Sequence, residues 1–213
     1  MEDCKNKFEL GRVSIDVLTH DIQTFHGMFK HNHLKAEYSE ELLHRAIDIE
    51  PMFNGKLSWK SGSHNPGADI LIYTDETKTV LDKSISVKSG SFKISRSVIK
   101  ISGSRLTMCN SDMNCVTEKL KQYTSDTIIS LIYSNDPISC YTVFYIDRGV
   151  FKYPKTGSGW STRIGERNGL VNEYIYRDKS GFKVGVKPSL AWQAWWDIPV
   201  NLCRVGPIIK TDG

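Results

Sequence analysis

The sequence predicts one α/β domain, residues 1–213, with a mixed central β-sheet flanked by helices. Three observations predict it. Two stretches of helical spacing open the chain, two short β-branched runs separated by a turn follow, and a further helical stretch precedes two more β-branched runs. At 213 residues, folding buries roughly 70% of the surface exposed by the unfolded chain, enough for one core without a staple. No internal repeat, low-complexity tract or Pro/Ser linker divides it.

Val13, Val17, Leu18, Ile22, Phe25 and Phe29 recur at three- and four-residue steps, which predicts a helix over residues 12–33. Ser39 followed by Glu40 and Glu41 supplies a capping hydroxyl and first-turn acids. The second helix is therefore predicted to start there, run through Leu42, Leu43, Ala46 and Ile47, and stop near Glu50, because Pro51 disfavours helix in the residue before it. These helices make an N-terminal segment, 12–50. Trp59 to Gly67 is loop material. Asp69 to Tyr73 is predicted as a short buried strand, Thr74 to Thr77 as a turn, and Val80 to Lys88 as a second strand closed by Ser89-Gly90-Ser91, giving a hairpin over 69–90. Lys93, Arg96, Lys100 and Arg105 lie in a basic, serine-rich stretch expected to form a loop. A helix from Asp112 to Tyr123 capped by Ser111, then strands Thr127–Tyr133 and Tyr141–Ile146, make up 111–147. The aromatic- and arginine-bearing part, 148–213, alternates glycine-rich turns with short strands such as Tyr174–Tyr176 and Phe182–Val186. It carries Trp192, Trp195 and Trp196 at helix-like spacing.

Net charge is +4, which permits an anionic partner without requiring one. Met1-Glu2-Asp3-Cys4-Lys5 has no apolar run behind it of the kind a signal peptide needs, and no stretch approaches the ~20 apolar residues of a membrane span. Of five cysteines, Cys109 and Cys115 are nearest, and their gap fits neither a zinc knuckle nor a ribbon. The expectation is reduced, mostly buried thiols in a cytoplasmic protein.

The chemistry concentrates in Pro66-Gly67-Ala68-Asp69 and Ser86-Val87-Lys88. Asp69 opens a strand after a Pro-Gly turn, so its carboxylate should emerge at the sheet rim. Ser86 and Lys88, two apart on the next strand, share a face. If the strands pair, an acid, a hydroxyl and an ammonium converge. Such a group suits phosphodiester hydrolysis: a carboxylate to hold Mg²⁺, and a lysine to orient or deprotonate water and stabilise charge on the phosphorane. The second helix offers another acid. Glu40 shares its face with Leu43 and Ile47, whereas Glu41 falls with His44, Arg45 and Asp48 on the polar side. An acid on an apolar stripe is costly unless paired or metal-bound, although Glu40 could also simply serve the helix dipole from a first-turn position.

The pattern Pro66…Asp69, then Ser86-Val87-Lys88, resembles the PD-(D/E)XK signature of restriction-endonuclease-like nucleases. The wider string from Trp59 through Gly62-Ser63-His64-x-Pro66-Gly67-Ala68-Asp69-Ile70, with Ser86-Val87-Lys88-Ser89-Gly90 and Ile101-Ser102-Gly103-Ser104-Arg105-Leu106, is similar to type II restriction enzymes. The resemblance implies a restriction-endonuclease-like fold and Mg²⁺-dependent cleavage of double-stranded DNA at a short palindrome. It further implies a homodimer and a companion DNA methyltransferase in a prokaryotic cytoplasm. By resemblance Asp69 is the metal-binding aspartate, Lys88 the motif lysine and Glu40 an acid lent by the preceding helix. Ser86 stands where the motif carries Asp or Glu, so it would be a neutral ligand. Glu40, or failing it Asp82, would then supply the missing charge. His64, Ser89, Arg96, Lys100 and Arg105 are candidate DNA contacts, an arginine reading guanine by a paired hydrogen bond. Taken singly, a charged or loop side chain of this kind is more often simply solvated. The tryptophans suit core or subunit interface better than base stacking. His31-Asn32-His33 spells the name of another nuclease class but has the wrong placement for it. Two rival readings are a structure-specific repair nuclease of the same fold and a DNA-binding protein with a degenerate site.

Overall fold

The computed structural model describes residues 8–30, 32–59, 68–109, 111–122, 125–133, 139–166 and 169–212. The chain begins with α1 (Arg12–Met28) and α2 (Ala36–Asp48), continues through β1 (Leu57–Trp59), β2 (Ile70–Tyr73), β3 (Leu81–Lys93) and β4 (Val98–Arg105), and reaches α3 (Met113–Lys121). It then runs through β5 (Thr127–Tyr133), β6 (Cys140–Asp147), β7 (Ser161–Ile164), β8 (Val171–Arg177), β9 (Lys183–Lys187), β10 (Gln193–Pro199) and β11 (Arg204–Lys210). The strands join in one mixed sheet ordered β11-β6-β5-β3-β4-β10-β9-β8-β7, with β1 on β2 and β2 on β3. Only β3 and β5 pair in parallel among the described residues. The α/β class with a mixed sheet, predicted above, is what the chain forms.

Two apolar layers lie on opposite faces of this sheet. Leu18, Ile22, Leu43, Ala46 and Ile47 of α1 and α2 pack on Ile70, Ile72, Ile85, Val87, Ile129 and Leu131. Val116 and Leu120 of α3 pack with Ile128, Ile132, Phe144, Ile146, Ile99, Ile101, Val184 and Trp196. β5 feeds both layers by alternation, which is why it reads as an unbroken apolar run.

Several expectations need correction. α1 stops at Met28 and not near residue 33: Phe29 leaves helical geometry and is exposed, while Leu34 is buried outside the helix. The Leu34 N–H donates to the buried Tyr141 hydroxyl at 2.9 Å, a bond that replaces the helical one. α2 begins at Ala36, so Ser39 is not its cap. Ser39 is buried within the helix, and its hydroxyl donates to the Lys35 carbonyl one turn back. β3 does not end at Ser89-Gly90-Ser91 but runs through them to Lys93, because Gly90 lets β4 approach; a Cβ there would meet the Lys100 carbonyl. The basic stretch after it is β4 and not a loop, with Ile99 and Ile101 buried between Lys100 and Ser102. Asp112, not Ser111, caps α3, accepting the Asn114 N–H at 2.8 Å. The tryptophans lie in and beside β10, not on a helix: Ala194, Trp196 and Ile198 are buried while Trp195 takes the opposite face. Cys109 and Cys115 are joined in a disulfide, not reduced. No described helix is long and apolar enough to cross a membrane.

Candidate functional site

The site forms where the sheet changes partners. At Ile85, β3 pairs with Ile70 of β2 on one side and Thr127 of β5 on the other. At Gly90 it pairs with Ile132 of β5 and, on the side β2 has left, with Ile101 of β4. β2 and β4 therefore occupy the same edge of β3 in succession. Among the described residues no strand pairs with Ser86–Ser89 on that edge. Backbone donors facing such an opening need another acceptor.

Asp69 provides it. Its own N–H continues the ladder by donating to the Ile85 carbonyl at 2.9 Å. Its carboxylate then turns into the opening, where Oδ2 accepts the Val87 N–H at 2.7 Å and lies 3.3 Å from the Lys88 ammonium. The side chains of Asp69 and Lys88 are 13% and 18% exposed, buried enough for their charges to matter and open enough for a ligand to reach.

Glu40 completes the group from α2. Leu43 and Ile47 are fully buried, Glu40 is partly buried and Glu41 is exposed, as the helical phase required. Burial and then the Asp69 charge push the Glu40 carboxyl up to about 7, against a smaller pull from Lys88. Because α2 starts at Ala36, Glu40 is past the first turn, so helix-dipole service does not account for its position. One turn on, His44 is not on a freely solvated face: it stacks on Trp59 at 4.5 Å between centroids, and burial lowers its pKa. Its i+4 spacing from Glu40 was the available signal for this wall.

Ser86 is fully buried, and its hydroxyl lies 2.6 Å from that of Ser125, in the segment leading into β5. Asp82 is exposed near the start of β3, four residues short of Ser86 and away from the opening. His64 and the Pro66-Gly67 turn lie outside the described residues, as does His31. Ser89 is half-buried beside the opening, and Arg96 is exposed in a single turn between β3 and β4. Lys100 sits within β4, 5.1 Å from the Trp195 ring centroid, and burial lowers its pKa. Arg105 is exposed at the end of β4, opposite Gln193. Lys100 and Arg105 thus lie in a strand and not on the groove-probing loop that the sequence suggested, and of the three only Arg96 lies in a connection.

Two carboxylates brought together with one ammonium form an oxygen-donor pair in which one acid tends to keep its proton near neutrality. A hard divalent cation relieves that repulsion, so the residues fit Mg²⁺. Among the described residues no group of three or more His, Cys, Asp or Glu gathers. Such an ion would therefore keep several waters, as Mg²⁺ commonly does. No protein-family model, no curated protein and no solved structure matches the chain.

Proposed function

We propose that the chain is a Mg²⁺-dependent endonuclease of restriction-endonuclease-like fold, cutting phosphodiester bonds of double-stranded DNA at a specific short palindrome. The observation that carries this reading is the convergence of Glu40, Asp69 and Lys88 on the interruption in the β3 ladder. Bound magnesium would supply polarisation of the phosphate and acidification of a water. Asp69 and Glu40 would hold it. The Val87 N–H fixes the Asp69 carboxylate, so one ligand is oriented before the metal arrives. Lys88 is placed to orient the attacking water and to offset charge gathering on the phosphorus oxygens. A palindrome is read most simply by a two-fold homodimer, and a companion methyltransferase would protect host sites.

The test is plasmid cleavage with Mg²⁺ or with EDTA. Discrete fragments that need Mg²⁺ support restriction, whereas nicks confined to junctions would indicate a repair enzyme, and binding without cutting a degenerate site. Asp69→Asn and Lys88→Met should each slow cleavage by two or more decades, equivalent to about 3 kcal/mol of transition-state stabilisation. Asp69→Asn retains an acceptor for the Val87 N–H, so the variant should melt near the wild type. Cutting at the normal rate by either variant removes the proposal.

A further inference from the structure

Beyond the opening, the sheet continues as β4, β10, β9, β8 and β7, and among the described residues no helix lies on one of its faces. Both helices of the first layer pack over β2, β3, β5, β6 and β11, and α3 packs on the other face. Cross-strand registers set the uncovered rows. Ser91, Lys100, Asp197 and Lys183 stand opposite one another in turn, as do Ser102, Trp195 and Gly185. The same face of β8 and β7 carries Arg177, opposite Lys183, and Arg163, opposite Glu173.

The acids of this face are spent inside it. Glu173 is 3% exposed; Arg163 lies 2.8 Å from one of its oxygens and Lys183 3.4 Å from the other. Gly185 makes this possible, since a Cβ there would strike the Glu173 carboxylate lying over β9. Asp197 is 3.6 Å from Lys183 and cross-strand from Lys100. Among the described residues Lys93, Arg177 and Lys187 have no acid within ion-pair distance. Solvent therefore meets cations over a polar floor of serines and the Lys100-capped Trp195 ring. β3 brings Ser89 and Ser91 onto this face just past the opening: Ile85 and Val87 of the same row are buried under the helices, whereas Ser89 and Ser91 are half-open, and Lys88 between them meets Asp69 at the strand edge.

We propose that this uncovered face of β4, β10, β9 and β8 is the docking surface for the backbone of double-stranded DNA, delivering a phosphate to the opening at Lys88. Charge complementarity identifies the occupant: a face whose two acids are each paired inside it, and on which Lys93, Arg177 and Lys187 remain unpaired among the described residues, is net cationic and leads to a phosphodiester-cleaving group, which fits a polyanion. The inference rests on the nuclease reading, and its test separates the two.

A fluorescent 30-base-pair duplex is titrated in EDTA, where cleavage is off, with wild-type protein, Arg177→Glu/Lys187→Glu, and a control pair, Lys119→Glu/Lys152→Glu, on the α3 side. Arg177→Glu/Lys187→Glu should weaken binding at least tenfold and lower the salt slope by roughly 2, about 0.9 for each lost phosphate contact. The control should bind nearly as wild type. Equal weakening in both pairs, or none in the first, overturns the surface whether or not the wild type cuts plasmid. Wild-type binding that is lost in the first pair, without cleavage under any divalent metal, upholds the surface and sinks the nuclease reading instead.

Discussion

Glu40→Gln should make the metal-free protein more stable and less active. In the folded chain the Glu40 carboxyl ionises near 7 and not near its ordinary 4.5, with burial as the larger cause and Asp69 the next. Folding thus favours the protonated form. The stability that this form contributes is fully present below about 4.5 and is lost as pH rises through about 7. A rise from 4.5 to about 7 would convert to about 3 kcal/mol for a buried group. Glu40 is partly open to solvent, and screening reduces the figure to about 1–2 kcal/mol. Glutamine mimics the neutral acid, so the variant should match wild type at pH 4 and exceed it at pH 8. For a chain of this size the gain is roughly 2–8 °C in melting temperature. Adding Mg²⁺ should reverse the order, since binding to the native state stabilises wild type through both carboxylates and the variant through one. The assay is a set of thermal melts at pH 4, 6 and 8 with EDTA or Mg²⁺, beside Glu41→Gln as the exposed control. Equal melting of Glu40→Gln and wild type at pH 8 in EDTA, or an equal response to Mg²⁺, would refute the placement of a strained acid beside Asp69.

Ser86→Ala should cost about 1 kcal/mol in urea unfolding, because it leaves the buried Ser125 hydroxyl without its 2.6 Å partner, and it should slow cleavage far less than Glu40→Gln. Tyr141→Phe should cost about 1–3 kcal/mol without touching the cleavage rate, since the lost hydroxyl accepts the Leu34 N–H at 2.9 Å and meets His26 Nε2 at 3.1 Å, both away from the opening.

What the sequence could disclose depended on whether a signal was local. The phase of α2 was legible because Leu43 and Ile47 set its apolar stripe, and that alone distinguished Glu40 from Glu41. Strand β5 was legible end to end because both its faces are apolar. The start of α2 was not: Ser39 has the composition of a cap, but the next layer buries it, and its hydroxyl serves the helix interior. The passage of β3 through Ser89-Gly90-Ser91 was equally hidden. Gly90 looks like a terminator and is in fact the place where a neighbouring backbone comes close, a reason that only the partner strand reveals. Lys100 and Ser102 disguised β4 as a loop because its polar face looks outward and only Ile99 and Ile101 face the core. The interruption itself has no sequence signal, since it is a property of three strands taken together.

The width of that interruption is a consequence of strand lengths. β2 is four residues long and its pairing with β3 begins at Ile70 opposite Ile85; β4 joins β3 only from Gly90 onward. Among the described residues, the four between leave about 13 Å of strand edge without a paired strand, at about 3.3 Å per residue. That is room for a phosphate and a hydrated cation, and too little for another strand to settle. Unclaimed edge normally invites pairing with another chain. Here Asp69 satisfies the Val87 N–H and Lys88 lies across the same stretch, so one carboxylate both closes the exposed ladder and presents charge to a ligand. Lengthening β2 by two residues would halve the opening, and moving Gly90 toward Ser86 would narrow it from the other side. The short strand, the glycine and the aspartate therefore form one unit. The motif spacing between Asp69 and Lys88 has meaning because β2 starts where it does.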